Sequence, residues 1–345
     1  MTLARKARSL LAITMGDPAG IGAEIILKSA AQIAVRRRAP SVVVVGDLRV
    51  MTETAGRLRG VPEPREWKPG ETPARLERSI SVLAVSQLSG MAGRPGCPIV
   101  EGGAASFDYV VQGARMAMRG EADALVTAPI SKEWWHRAGH RYPGHSELVA
   151  EIGGVRRWRM MFAGDELKLA LVTAHMGLKG VSAALTRRAV LETIRLLEAH
   201  LRERLGLARP RIGVLGFNPH AGENGIFGEE EIRAIAPAIR AAQREGIDAF
   251  GPLAPDTAFI RPKGRFNFDA AVAMYHDQGL IALKTLEFDR AVNVTLGLPF
   301  IRTSPDHGTA FDLAGKGLAN PSSMLAATDY AWRAAEARGA RRVAA

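Results

Sequence analysis

Four of the eight histidines in this 345-residue chain stand apart: His145, His175, His220 and His276. Each lies in a polar stretch beside Gly, Pro or Asp, and each follows or flanks an expected strand end. Neutral imidazole is a good ligand for borderline divalent metals, and three of them with open positions left on the ion make a catalytic centre. Local spacing does not decide the matter. The chain has no H-x-H, H-x-x-H or H-E-x-x-H, and Gly139 and Pro143 argue against a continuous helix carrying His136 and His140. From the residues alone, hydrogen-bonding loop histidines or acid–base groups remain an open alternative.

Other polar groups share these stretches. They fall at 127–151, 172–181, 216–231, 251–259, 274–284 and 293–317. In open α/β sheets ligands bind beyond the carboxyl ends of strands, and the clusters repeat that position. Lys284, Asn293 and Arg302 are suited to hold a phosphate or carboxylate, Arg bidentately and Lys as a point charge. Asp256, after Pro255, either caps a turn or faces the ligand. Asp277 follows His276 directly, and in an extended segment the two side chains would point apart.

A different chemistry is suggested by ITMGDPAGIGAEIILK, residues 13–28, where three glycines separate an apolar run from a helical pattern. It matches neither G-x-x-x-x-G-K-[ST] nor G-x-G-x-x-G. What remains is a tight strand-to-helix turn, or a helix start whose free N–H groups suit an anion.

These residues must be held by alternating short β-branched runs and longer helical segments. Strands are expected at 41–46, 80–84, 124–127, 168–173, 211–216 and 270–275, and helices at 106–119, 186–205, 228–245 and 322–335. Such alternation predicts an α/β fold with a largely parallel sheet. Residues 59–78, rich in Pro, Arg and Glu, read as a surface excursion. No clean linker divides the chain, so two lobes with discontinuous boundaries are expected.

Bulk properties exclude several classes. One cysteine, Cys97, rules out a disulfide framework and a thiolate zinc site within one chain. Its surroundings, GRPGCPIV, mark it as a structural or incidental thiol. The longest apolar runs, such as 42–45, are strand-length, so no membrane span is expected. The N-terminus reads as a basic start leading into the first core strand, and a cytoplasmic location follows. The net charge of +11 is spread along the chain rather than gathered in a stripe or tail. That favours a solvated basic surface, with some attraction for anionic ligands, over nucleic-acid binding.

Taken in order, GDPAGIG, TAPISKE, PGHSE, TAHMGL, NPHAGENG with FG and EE, PLAPDTAF, MYHDQGL with LK, and TSPDHGTAFDLAGKG form a specific set. Over about residues 13–327 the chain closely resembles the 4-hydroxythreonine-4-phosphate dehydrogenase family of pyridoxal phosphate biosynthesis. The resemblance implies an isocitrate/isopropylmalate dehydrogenase-like fold, two α/β lobes flanking a cleft. The lobes would be residues 1–135 plus 300–345, and 136–299. It further implies a homodimer whose active sites draw on both subunits, and NAD or NADP held without a standard glycine fingerprint. The opening loop then becomes a cleft-lining turn.

By the same resemblance, His175, His220 and His276 are the ligands of one divalent ion, Zn, Mg or Co. Substrate contacts fall on His145, Ser146, Lys284, Asn293 and Arg302. Asp256, Asp277 and Lys284 are candidate catalytic groups. Many family members have Thr where this chain has Ser146, which keeps the hydroxyl and loses a methyl. The implied activity is oxidation of 4-phosphooxy-L-threonine to a β-keto acid that decarboxylates to 3-amino-2-oxopropyl phosphate. Relatives apply the same chemistry to threonate or erythronate 4-phosphate, or to the dihydrodiol dicarboxylate formed from terephthalate. Acyl transfer, on a fold of the same broad type, would not need three metal histidines. No nucleic-acid or membrane partner is implied.

Overall fold

The computed structural model describes residues 9–344, with side chains to residue 339. The basic start, residues 1–8, and the side chains of Arg341 and Arg342 lie outside the described residues. The chain forms two compact units. One comprises the chain up to Arg156 together with Leu298–Glu336, and the other comprises Arg157–Gly297 with the residues from Ala337 onward. The strands in chain order are β1 (Leu10–Thr14), β2 (Ser41–Asp47), β3 (Glu63–Glu66), β4 (Ser79–Ser86), β5 (Ala124–Thr127), β6 (Arg159–Ala163), β7 (Lys168–Leu171), β8 (Ile212–Leu215), β9 (Ala249–Leu253), β10 (Ala270–Ala273), β11 (Val292–Leu296) and β12 (Ile301–Pro305).

In the first unit the strand order is β3-β4-β2-β1-β5-β12, and every pairing is parallel. Parallel strands are covered on both faces, so they read as unbroken apolar runs. Val42 to Val45 in β2 show this, each at most 1% exposed. The helix Val100–Met118 packs across β1, β2, β4 and β5, and the helix His145–Ile152 packs on it in turn. That packing keeps residues 145–152 with the first unit. The boundary therefore falls after Arg156, later than the residue 135 expected from sequence.

In the second unit the order is β11-β6-β7-β10-β8-β9. The pairs β7–β10, β10–β8 and β8–β9 are parallel, while β11–β6 and β6–β7 are antiparallel. A core of Met160, Phe162, Leu169, Leu171, Leu215, Phe268, Leu280 and Leu283 lies against this sheet. The helix Arg187–Arg204 supplies Leu197 and Leu201, both fully buried. No helix among the described residues is long and apolar enough to cross a membrane.

Each expected strand and helix is present; strand ends shift by at most two residues, while the helix expected at 106–119 begins at Val100 and the one expected at 322–335 runs to Ala344. Residues 59–78 are more than a surface excursion. They contain β3, and Trp67 and Leu76 are buried, with the Trp67 N–H donating to Val82 O at 2.8 Å. An aromatic and an aliphatic anchor fasten this polar segment to the sheet edge.

Candidate active site

His175, His276 and His220 follow β7, β10 and β8, which are neighbouring parallel strands. Ala271 pairs with Leu169 on one side and Gly213 on the other, so the three loops leave the sheet at one level and from the same end. The His175 and His276 ring centroids are 6.0 Å apart. With metal–nitrogen bonds of about 2.1 Å, two rings sharing one ion stand roughly 5–6 Å apart, so this pair fits one divalent ion. Among the described residues no group of three or more His, Cys, Asp or Glu is already gathered to hold a metal. His220 is exposed, with its ring 5.9 Å from that of Phe227.

His276 opens the helix His276–Glu287, and its Nδ1 meets Asp277 Oδ1 at 2.6 Å. This corrects the expectation that the two side chains point apart. The backbone turns helical at His276, and adjacent side chains at a helix start can converge where those of a strand cannot. With Nδ1 engaged by a carboxylate, the ring is oriented and Nε2 is left for a ligand.

Side chains tie the three loops at their roots. Thr173 donates from both its backbone N–H and its Oγ1 to Met274 O, at 3.2 and 2.7 Å. Gln278 donates from Nε2 to Gly216 O at 2.7 Å and accepts the Met274 N–H at Oε1, also at 2.7 Å. The third loop is unusual. Residues 220–224 all have positive φ: His220 53°, Ala221 53°, Gly222 79°, Glu223 38° and Asn224 57°. Left-handed backbone costs each non-glycine residue roughly 1–2 kcal/mol, so the surroundings must hold this shape.

The first unit gathers a different set. Arg302 lies in β12, only 2% exposed, and its Nη2 donates to Thr127 Oγ1 at 2.7 Å. Burial lowers the Arg302 guanidinium to about 9. His145 and Ser146 open the helix His145–Ile152. Burial first, then the Arg302 and Lys132 charges, hold the His145 ring far below its usual pKa and therefore neutral. His145 Nε2 is buried with no protein partner. Lys132 was not singled out from sequence, although TAPISKE contains it. A Cβ on Gly144 would lie 3.4 Å from Lys132 Cε, which places the lysine beside the helix start. The set comprises two cations, a neutral imidazole, a hydroxyl and a helix start with no side-chain cap, a combination suited to an anion.

The remaining candidates lie in the second unit. Asn293, in β11, is paired with Phe162, and its buried Oδ1 also has no protein partner. The Phe162 ring meets that of His276 edge-on at 6.3 Å. Lys284 is half-buried on the helix His276–Glu287. Asp256 is exposed in the short helix Pro255–Ala258, whose start has no side-chain cap, so it does not serve as the cap.

The opening glycine loop is a packed turn. Gly16 has φ 76°, and a Cβ there would lie 2.3 Å from Pro129 O. The Gly20 and Ile21 N–H groups donate to Asp17 O and Thr309 O, both at 3.0 Å, so neither is free for an anion. Asp17 is 1% exposed, and its Oδ1 accepts the Ala19 N–H while Oδ2 is buried without a partner. Burial raises its carboxyl to about 6.

Comparison with known proteins agrees over nearly the whole chain. The pyridoxal phosphate biosynthetic protein PdxA family matches residues 38–331. The 4-hydroxythreonine-4-phosphate dehydrogenase of Geobacter metallireducens is 48% identical over 335 residues, covering 95% of this chain and 96% of that protein. The crystal structure of the Klebsiella pneumoniae 4-hydroxythreonine-4-phosphate dehydrogenase superposes with a TM-score of 0.85 at 42% identity, covering 95% of this chain and 99% of that one. A terephthalate 1,2-cis-dihydrodiol dehydrogenase from Burkholderia xenovorans is more distant, at TM-score 0.68 and 30% identity, with 95% and 98% covered. On this sequence identity and this fold, the chain is a dehydrogenase and belongs to the PdxA family.

Proposed function

We propose that the enzyme oxidises 4-phosphooxy-L-threonine at the hydroxyl carbon beta to its carboxylate, giving a β-keto acid that loses carbon dioxide to yield 3-amino-2-oxopropyl phosphate. The observation that carries this reading is the placement of His175, His276 and His220 after three neighbouring parallel strands, with His276 Nδ1 held by Asp277. The reading includes a cytoplasmic homodimer whose active sites draw on both subunits, with His175, His220 and His276 as metal ligands. Bound NAD or NADP supplies the hydride acceptor, and a bound divalent ion (Zn, Mg or Co) supplies Lewis acidity toward the hydroxyl and the developing enolate.

The protein's own residues do the rest. Arg302, fixed by Thr127, and Lys132 hold the phosphate with the Ser146 hydroxyl and the N–H groups of the helix start. The neutral His145 offers Nε2 to the substrate. Asn293 Oδ1 accepts a hydrogen bond from the substrate, which satisfies a buried acceptor. Among the catalytic candidates, Asp277 is engaged with His276 and Asp256 is exposed. Lys284 lies on the same helix as His276 and is the third candidate to take the hydroxyl proton.

The test is reduced nicotinamide absorbance with NAD or NADP and a divalent metal. 4-Phosphooxy-threonine, threonate 4-phosphate and the terephthalate dihydrodiol are offered in parallel. Reduction with the first, with carbon dioxide released, is expected. Reduction with only another substrate moves the protein to that substrate's chemistry.

A further inference from the structure

We infer that Glu231 is the positioning residue for His220, holding the left-handed loop on which that histidine stands. The inference rests on reading His220 as a metal ligand. Glu231 opens the π-helical turn Glu231–Ile235, which continues into the helix Ala236–Arg244. It is a carboxylate only 3% exposed. Its Oε1 accepts the backbone N–H groups of Phe217 and Asn218 at 2.6 and 2.8 Å, and its Oε2 accepts Asn218 Nδ2 at 2.9 Å. All three bonds end on the two residues that lead into Pro219 and His220.

The fit around this carboxylate is close. A Cβ on Gly222, inside the left-handed run, would lie 2.7 Å from Glu231 Oε2. The Asn218 amide is held from the other side by Glu230 Oε2 at 2.8 Å, and Glu230 Oε1 accepts the Ser182 hydroxyl. Five residues in left-handed backbone relax to ordinary conformations unless the root of the loop is fixed. Glu231 is the buried group that fixes it. The two N–H groups would otherwise lack an acceptor, and the carboxylate would otherwise be buried without donors. Glu231 touches neither the His220 ring nor any reacting atom in this arrangement. It acts through the backbone, as groups behind metal ligands do.

The test is titration of metal-stripped, full-length protein with Co2+, followed by its visible absorption, alongside amide exchange across residues 217–224. Glu231→Gln is expected to weaken Co2+ binding by about tenfold to a hundredfold, to change the cobalt spectrum and to speed exchange in the loop. His220→Ala is run in parallel. If His220→Ala weakens binding while Glu231→Gln binds as the native protein does, the inference fails and the reading of His220 stands. If His220→Ala leaves Co2+ affinity unchanged, the reading of His220 fails and takes the inference with it. A lower melting temperature with native Co2+ affinity and spectrum makes Glu231 a structural residue only and also overturns the proposal. Should Glu231→Gln not fold, Asn218→Ala keeps the carboxylate and removes one of its donors. Roughly threefold weaker Co2+ binding is then expected, and native affinity overturns the inference.

Discussion

Arg302 and His220 are both assigned to the reaction, and the protein holds them in opposite ways. Arg302 sits within a strand, 2% exposed, against Thr127. His220 stands exposed in a loop of left-handed backbone whose root, at Gly216 to Asn218, is held by hydrogen bonds from Gln278 and to Glu231. The arginine's position is fixed by the sheet, at the cost of burying a charge. The histidine's position is fixed by side chains at the loop root, at the cost of backbone strain. A group that meets a fixed anion can be built into the core. A group that must ligate an ion from the surface needs reach, and reach is bought with conformations that only a supported loop can keep.

That contrast breaks most sharply at His220. His220→Ala is expected to lower kcat by about a thousandfold or more, with the melting temperature unchanged because the side chain is exposed. Retained near-native turnover would remove His220 from the site. Arg302→Met is expected to lower kcat/KM by roughly a hundredfold through loss of the charge-assisted phosphate contact, without loss of folding stability. The charged form of Arg302 is disfavoured in the fold, and apolar replacement of a buried charge is often neutral or stabilising. A large fall in melting temperature would show that Arg302 holds the fold together as well.

A smaller effect is expected at Gln278. Gln278→Ala removes the links to Gly216 and Met274 and should lower stability by about 1–2 kcal/mol by denaturant titration, with a several-fold loss of metal affinity. Equal metal affinity would separate the loop roots from the ion. The effect at Asp17 touches stability rather than turnover and shows only as a change with pH. Moving its carboxyl from the ordinary 3.8 to about 6 costs its charged form roughly 3 kcal/mol. Between those two values the folded state holds more protons than the unfolded state, so this contribution to stability falls as pH rises from about 4 to 6 and is flat above. Asp17→Asn keeps the acceptor for Ala19, so the difference between variant and native stability should grow in the variant's favour across that window. A constant difference from pH 4 to 8 would show that Asp17 is not titrating there.

Much of the fold is legible in the sequence because parallel strands buried on both faces announce themselves, as Val42 to Val45 do. β6 is hidden because Arg156, Arg157 and Arg159 precede a short run of Met160 to Phe162, and the charges mask the strand's start. β12 is hidden because its second residue is Arg302, whose burial no hydropathy pattern predicts. The motifs point to the histidines, but not to what holds them. The left-handed run at 220–224 contains one glycine among five residues, and the partners Glu231 and Gln278 are ordinary polar residues until tertiary contacts place them. Asp277 misled because its geometry depends on whether the backbone turns at His276 or one residue later.

The double link through Gln278 has a thermodynamic consequence. It joins Gly216, at the root of the His220 loop, to Met274, just before His276, while Thr173 joins Met274 to the strand that leads to His175. The ordering entropy of those roots is therefore spent when the chain folds, before any ion arrives. An ion bound there would meet loop roots already in place, and the entropy of its binding should then be small.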